Sequence, residues 1–170
     1  VLIENSRMQM EKAMNNKGYM AARVDVDTVS KGKRMDVFYR VSANTPHYID
    51  DLDYRISNDT ISRLVERQYA SHSLLKKGSN FDRNVLDEER QRISDMLRRD
   101  GFYAFNKELI TYTADTADRS KAVDLTMNLV PESVANASGY RPYERYYMRK
   151  IYFVLSYDPT ATDQIDVANA

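Results

Sequence analysis

The sequence predicts an α+β protein made of tandem modules. Each module has the order β-α-α-β-β, with two helices packed on one face of a three-stranded sheet. Two repeated signals predict this fold. A Gly-aromatic pair follows a helical pattern twice, at Gly18-Tyr19 and at Gly101-Phe102. Apolar and polar residues then alternate after each pair, over 35–41 and over 123–129, as expected of strands with one buried face.

A third repeat predicts the module boundaries. Residues 48–56 and 147–155 both begin with an aromatic-apolar pair and two polar residues, and an alternating strand follows. The chain is therefore expected to be a piece of a longer protein. The predicted parts are the C-terminal part of one module (1–44), a complete module (46–131), a linker (132–146), and the first strand of a next module with a polar tail (147–170).

In the complete module, the first strand is predicted over 49–56 and a helix follows it. Ser57-Asn58-Asp59 supplies the N-cap, because a short side-chain oxygen accepts hydrogen bonds from the free amides of the first helical turn. One apolar stripe at helical spacing follows the cap. It consists of Ile61, Leu64, Val65 and Tyr69.

A second helix is predicted after the Leu75–Gly78 connection. Asp82 is its expected N-cap, and Phe81 and Leu86 lie at the spacing of a hydrophobic staple. The buried side is predicted to consist of Leu86, Ile93, Met96 and Leu97. Gly101 is well placed to end this helix as its left-handed C′ residue.

Two strands complete the predicted module. The first is expected over 104–113, with Phe105 and Leu109 facing inward, and a polar turn over 114–121 leads to the strand at 123–129. The preceding module repeats this pair, with a hairpin turn at 30–33. A small sheet covered by helices on one side leaves exposed edge strands.

This order of motifs resembles POTRA domains, the polypeptide-transport-associated repeats of outer-membrane β-barrel assembly proteins of the BamA/TamA-like kind. The features that carry the resemblance are the strand at 49–56, the Leu75-Lys76-Lys77-Gly78 connection, Gly101-Phe102-Tyr103 and the strand at 123–130. The resemblance implies a periplasmic location, attached to the outer membrane in the full-length parent protein. It also implies three partners: unfolded outer-membrane protein precursors, accessory periplasmic or lipoprotein subunits, and a C-terminal membrane β-barrel of the same parent chain.

Composition disfavours several other functions. The 170 residues carry 25 Lys and Arg against 25 Asp and Glu, and a net charge of zero is unlike a nucleic-acid-binding surface. Cys is absent, and the two histidines, His47 and His72, lie far apart without metal-ligand spacing. The acidic runs at 25–27 and 50–53 lack the glycine turn and distal Glu of a calcium loop. No catalytic residue, metal or cofactor is predicted, and the chain is not expected to be an enzyme.

Function is instead assigned to main-chain hydrogen bonding. A peptide can add to an exposed sheet edge as an extra strand, and we expect the strand after Gly101 to accept it. The predicted binding residues are Phe105, Asn106, Lys107, Glu108, Leu109, Ile110 and Thr111. The accepting strand is expected to span residues 104–112, and residues 21–28 are the corresponding strand of the preceding module.

A tyrosine-rich linker is the second candidate site. Tyrosine offers a large contact area with a polar tip, which is typical of interfaces, and the candidates are Tyr140, Tyr143 and Tyr146. The alternative interpretation is that these residues only stiffen the hinge between modules. For the whole chain, the alternative function is a structural spacer of a membrane pore with no client binding of its own.

Overall fold

The structure, a computed structural model, describes residues 2–116, 121–135, 139 and 141–151, without the side chains of residues 69 and 70. Its elements in chain order are α1 (Leu2–Asn16), β1 (Arg23–Lys31), β2 (Arg34–Ser42), β3 (Tyr48–Arg55), α2 (Asp59–His72), α3 (Arg83–Arg99), β4 (Ile110–Asp115), β5 (Ala122–Leu129) and α4 (Glu132–Ala135). Strands β1 and β2 form one sheet, and the order of the second sheet is β3-β5-β4.

The first unit, Leu2–Ser42, is a helix followed by an antiparallel hairpin. The turn between β1 and β2 has two residues, Gly32 and Lys33, and Gly32 has a φ of 64°. Helix α1 lies against β1, where the Glu11 carboxylate accepts a 3.0 Å hydrogen bond from the backbone N–H of Val24. Val24 is also the buried apolar residue of this unit, so the described part of the unit has a small core.

The second unit, Tyr48–Leu129, has the predicted order β-α-α-β-β. Strand β5 lies at the centre, parallel to β3 and antiparallel to β4. Its apolar residues Val123, Leu125 and Met127 are buried, whereas Asp124 between them is exposed. Apolar side chains of α2 and α3 pack with those of β4 and β5 in one cluster, and a second cluster joins Leu86 of α3 to Ile49, Val123 and Leu125 of the sheet. The predicted fold class is therefore confirmed in this unit.

The predicted helix caps are also confirmed. The side chain of Asn58 accepts from the backbone N–H groups of Thr60 and Ile61, each at 3.1 Å. Asp82 accepts from the N–H of Asn84 at 2.8 Å at the start of α3. Of the predicted stripe of α2, Ile61 and Val65 are buried, Leu64 packs beside them, and the side chain of Tyr69 lies outside the described residues.

The strand predicted from residue 104 is wrong in its first half, because β4 begins only at Ile110. Residues Lys107–Leu109 form a 3₁₀ turn, and the side chain of Asn106 caps it by accepting from the N–H of Glu108 at 2.9 Å. Phe102 and Phe105 are both buried although they lie three residues apart. The N–H of Phe105 donates to the carbonyl of Phe102 at 2.9 Å, which closes a turn at the start of the predicted strand. Within the predicted strand, the successive residues Leu109 and Ile110 are both buried, whereas neighbouring residues of one strand point to opposite faces.

Two glycines, each after a helix, make backbone hydrogen bonds to residues much further along the chain. Gly18 follows α1 and its carbonyl accepts from the N–H of His47 at 2.8 Å. Gly101 follows α3 and accepts from the N–H of Tyr146, also at 2.8 Å. We call these two contacts the glycine joints. Their equivalence in the repeat follows from the sequence alignment of 48–56 with 147–155, in which His47 corresponds to Tyr146.

The strand predicted over 147–155 stays a prediction. Residues 147–151 are described and belong to no helix or strand, and residues 152–155 lie outside the described residues.

Candidate peptide-binding edge

The three-stranded sheet has two edge strands, β3 and β4, which differ in what covers them. At the start of β3, the N–H of Ile49 donates to the carbonyl of Ser79 at 2.9 Å, and the N–H of Gly78 donates to the carbonyl of Ile49 at 2.7 Å. The loop before α3 therefore occupies this part of the β3 edge. Strand β4 instead borders a groove along α3.

The hydrogen bonds at the start of β4 show which backbone groups face outward. The carbonyl of Leu109 accepts from the N–H of Val130 at 2.9 Å, toward β5, whereas the carbonyl of Ile110 accepts from the side chain of Arg90. Successive residues of a strand direct their backbone groups to opposite sides. The N–H and C=O groups of Tyr112 and Ala114 therefore point away from β5, and they are the backbone donors and acceptors that this edge offers to an added strand.

A groove of about 310 Å³ runs between α3 and β4. Leu86 and Ile110 are buried apolar residues of its wall, and Tyr112 is half-buried. The groove is lined by Arg83, Leu86, Asp87, Arg90, Ile110, Thr111 and Tyr112. It thus places apolar surface beside unpaired main-chain groups, which is the combination that an added strand requires.

Tyr112 contributes a buried polar atom to this region. Its hydroxyl is buried and has no hydrogen-bond partner among the described residues. Burial raises the pKa of the Tyr112 phenol well above its usual value, and the negative charge of Glu89 adds to the effect. The hydroxyl is therefore neutral at physiological pH and can act as a donor or acceptor.

A polar cluster closes the first end of the β4 edge, and Arg90 is its centre. The Nε of Arg90 donates to the carbonyl of Ile110 at 2.8 Å and to that of Lys107 at 3.1 Å. Its terminal nitrogens bind the carboxylates of Asp87 at 3.1 Å and Glu108 at 3.0 Å. Lys107 also binds Asp87, at 2.7 Å. The hydrogen bond from Lys107, together with the charges of Lys107 and Arg90, lowers the pKa of the Asp87 carboxyl.

The predicted binding residues divide into three groups in the structure. Phe105 and Leu109 are buried in the core, and Asn106 caps the 3₁₀ turn. Lys107 and Glu108 belong to the polar cluster around Arg90. Only Ile110 and Thr111 lie on the edge strand itself. Whether any of them binds a peptide stays a prediction.

Sequence reasoning placed Tyr112 at the end of the accepting strand, and it missed Ala114 and Arg90. The run Thr111-Tyr112-Thr113 is rich in β-forming residues and signals the strand that the structure shows. For Arg90 the sequence contains no such signal, because the carbonyls that it binds lie 17 and 20 residues away along the chain.

The candidate tyrosines of the linker have different environments. Tyr143 is buried in the core, with its ring 5.9 Å from that of Phe105, and its hydroxyl donates to the carbonyl of Val130. Tyr146 is half-exposed and contacts the ring of Tyr103 edge-on at 6.2 Å. Tyr140 lies outside the described residues. Tyr143 thus faces its own unit, and an interface role for Tyr140 or Tyr146 stays a prediction.

A larger cleft, of about 500 Å³, lies between α2 and α3. Its lining includes Arg67, Arg92 and Arg99 with Asp95 and Asp100, so both charge signs are present. The walls come from helices, whose backbone groups already bond within each helix. This cleft therefore offers no main-chain edge for an added strand. Within the described ranges, no cluster of His, Asp and Glu is suited to hold a metal ion, and no helix has the length and apolarity needed to cross a membrane.

Comparison with known proteins finds similarity among solved structures. No protein-family model matches the chain, and the curated proteins contain no match. BamA POTRA3-5 from Haemophilus influenzae is 15% identical, with a TM-score of 0.49, over 75% of this chain and 49% of that one. BamA from Haemophilus ducreyi lacking POTRA domains 1–3 is 16% identical, with a TM-score of 0.41, over 72% of this chain and 21% of that one.

POTRA1-3 of the periplasmic domain of Omp85 from Anabaena is 18% identical, with a TM-score of 0.38, over 79% of this chain and 52% of that one. The chain thus spans about half, or less, of the length of these matched chains. The first and third of these structures are described as POTRA domains.

Proposed function

We propose that this chain is a non-enzymatic, periplasmic part of an outer-membrane protein assembly factor, and that its β4 edge binds unfolded β-barrel precursors by strand addition. The observation that carries the proposal is the pair of outward-facing residues Tyr112 and Ala114 beside the apolar wall of the α3 groove. The resemblance of the sequence motifs to POTRA domains supports the location and the class of client.

The number of free groups predicts weak binding. Four outward groups, the N–H and C=O of Tyr112 and Ala114, allow four main-chain hydrogen bonds. At about 1 kcal/mol net for each, they correspond to a dissociation constant in the order of 1 mM before side chains enter the groove. Main-chain hydrogen bonds depend little on the side chains of the client, so one edge serves many clients. Because the binding is weak, clients are released readily.

The predicted division of the chain becomes part of this proposal. Residues 1–44 form the C-terminal part of one POTRA-like module, 46–131 a complete module, 132–146 a linker, and 147–170 the start of another. The two glycine joints support it, because each connects the end of a helix with a residue that precedes a first strand, β3 after His47 and the predicted strand after Tyr146. Accessory periplasmic or lipoprotein subunits and a membrane β-barrel of the same parent chain are the further partners.

Replacing Ala114 with Pro tests strand addition. Ala114 is exposed and its N–H faces outward, so Pro removes a client bond without removing a β4–β5 bond. Ala114→Val keeps the N–H and serves as the matched control. We expect the Pro variant to bind a labelled barrel-strand peptide of about 10 residues at least fivefold more weakly, with an unchanged circular dichroism spectrum. Equal binding by the Pro variant and the wild-type chain would contradict the proposal.

A structural spacer is the second candidate function, and the Gly18–His47 contact favours it because it ties the first unit to the start of the second. Small-angle scattering separates the two functions together with the peptide titration. One rigid rod shape with no peptide binding supports the spacer. Measurable binding that Ala114→Pro weakens supports the client-binding function.

A further inference from the structure

Arg90 covers the part of the β4 edge that a client strand would reach first. Its Nε bonds to two carbonyls, those of Lys107 and Ile110, and of the two the Ile110 carbonyl is an outward-facing group of the strand. Asp87 and Glu108 hold the guanidinium in this position through its other nitrogens. The side chain of Arg90 is about one-fifth exposed, so it is packed into the groove rather than solvated.

The first unit has a related contact at its outer strand. There the carboxylate of Glu11 accepts from the N–H of Val24, which bonds away from β2, and Arg7 binds the same carboxylate at 2.8 Å. Arg7 precedes Gly18 by the same number of residues as Arg90 precedes Gly101. Glu4 likewise corresponds to Asp87, and each acid pairs with the arginine three residues later. Helix α1 thus places the Glu11 carboxylate at the second residue of β1. Helix α3 places the Arg90 guanidinium at the first residue of β4.

We infer that Arg90 is a specificity-determining cap of the β4 edge, which sets the register of a client strand by confining its pairing to Tyr112 and beyond. This inference rests on the proposed function. In the wild-type protein the Ile110 carbonyl is already bonded, so a client gains nothing by pairing with it. A variant without the guanidinium presents one more main-chain acceptor and a longer edge.

The cap also explains how an apolar groove next to an open edge avoids uncontrolled pairing. A charged group placed at an edge strand opposes association with other strands, because pairing would bury it without its partners. Here the charge is positioned by bonds to the edge itself. It therefore shortens the edge while leaving Tyr112 and Ala114 available.

The test compares Arg90→Met with Arg98→Met. Methionine keeps an unbranched apolar chain at either position, and Arg98 is an exposed residue of the same helix that does not line the groove. The probe is a labelled peptide of about 10 residues with alternating apolar and polar side chains. We expect Arg90→Met to bind it about fivefold more tightly than the wild-type chain, because one hydrogen bond is gained, and Arg98→Met to bind it as the wild-type chain does.

Nuclear magnetic resonance separates failure of this inference from failure of the proposed function. On peptide addition, the amide of Tyr112 is expected to shift in both proteins, whereas the carbonyl carbon of Ile110 shifts only in Arg90→Met. A shifted Tyr112 amide with equal affinities and an unmoved Ile110 carbonyl would overturn the cap alone. No response at Tyr112 in either protein would overturn the proposed function. Should Arg90→Met fail to fold, Arg90→Leu also lacks a donor to the Ile110 carbonyl and supports the same comparison.

Discussion

The backbone N–H of Tyr146 donates a 2.8 Å hydrogen bond to the carbonyl of Gly101, and this contact repeats the one between His47 and Gly18. Both glycines have a positive φ, 89° at Gly18 and 101° at Gly101. A Cβ at Gly18 would lie 2.7 Å from the carbonyl oxygen of Phe81, and one at Gly101 would lie 2.6 Å from that of Tyr146. Both the conformation and the close approach therefore require glycine.

Gly18→Ala is expected to loosen the joint between the two units. The substitution combines a left-handed conformation, which costs an alanine about 1–2 kcal/mol, with a collision against backbone. We expect a wider distribution of distances between spin labels placed one in each unit, measured by double electron–electron resonance. Gly32→Ala is the matched control, because Gly32 also has a positive φ but has open space around it. A distribution in Gly18→Ala as narrow as in the control would argue against the joint.

Glu89 is expected to make the second unit sensitive to acid. It is about 1% exposed, binds Arg92 at 2.7 Å and accepts from the N–H of Leu74 at 3.0 Å. Burial acts to raise the pKa of Glu89, but the hydrogen bonds from Arg92 and Leu74 and the charge of Arg92 outweigh it, so the pKa lies below its usual value. The stabilisation is therefore present above about pH 4.5 and is lost as the pH falls through the lowered pKa.

Glu89→Gln tests this directly. We expect it to lower the free energy of unfolding by about 2–3 kcal/mol at pH 7, since a buried charged hydrogen bond is lost, and by less at pH 3. Urea denaturation at both pH values measures the difference. Glu88→Gln, on the exposed side of the same helix, is expected to change little at either pH. A pH-independent effect of Glu89→Gln would be inconsistent with this account.

Tyr143 is expected to anchor the segment after α4 to the core of the second unit. Burial, with the charge of Glu132, raises the pKa of its phenol to about 12, so the hydroxyl remains a donor to Val130. Tyr143→Phe removes one hydrogen bond and should cost about 1 kcal/mol, whereas Tyr143→Ala should cost about 3 kcal/mol or more. Tyr146→Phe is the control, because Tyr146 is half-exposed. Thermal denaturation that ranks the three variants differently would contradict the anchoring role.

Asn106→Ala is expected to loosen the start of β4. The Asn106 side chain caps the 3₁₀ turn, and the carbonyl of Leu109 at its end bonds the N–H of Val130. Loss of a cap costs about 1 kcal/mol, and we expect faster hydrogen exchange at Val130. Asn84 is exposed and its side chain makes no hydrogen bond to a turn. In Asn84→Ala, the amide hydrogen of Val130 should therefore exchange at the wild-type rate. Unchanged exchange in Asn106→Ala would indicate that other contacts hold the turn.

Local signals in the sequence were sufficient to predict most of the second unit. The alternation over 123–129 depends only on which face is buried, and the caps at Asn58 and Asp82 act within three residues. The start of β4 could not be predicted in this way. Phe105 and Leu109 satisfy strand alternation as well as they satisfy a turn, and the burial of both Leu109 and Ile110, which are successive residues, decides between them. That burial is a property of the folded core.

The candidate site was predicted less completely for the same reason. The strand after Gly101 is expected to be an edge strand, and β4 lies at the edge of the sheet in the structure. Which backbone groups remain available depends on Arg90, whose bonds to β4 join residues far apart in the chain. Contacts between residues that lie so far apart in the chain produce no periodic pattern in the sequence.

The arrangement of the three strands gives the sheet a direction. Strand β4 runs antiparallel to β5, so a polypeptide that adds antiparallel to β4 runs the same way as β5 and β3. Its pairing would begin beside Asp115 and end beside Tyr112, before the Ile110 carbonyl that Arg90 covers. A client bound in this orientation would run from its N-terminus to its C-terminus in the same direction as β5. Its C-terminal end would point toward the side of the sheet where the chain continues to Tyr143 and the second glycine joint.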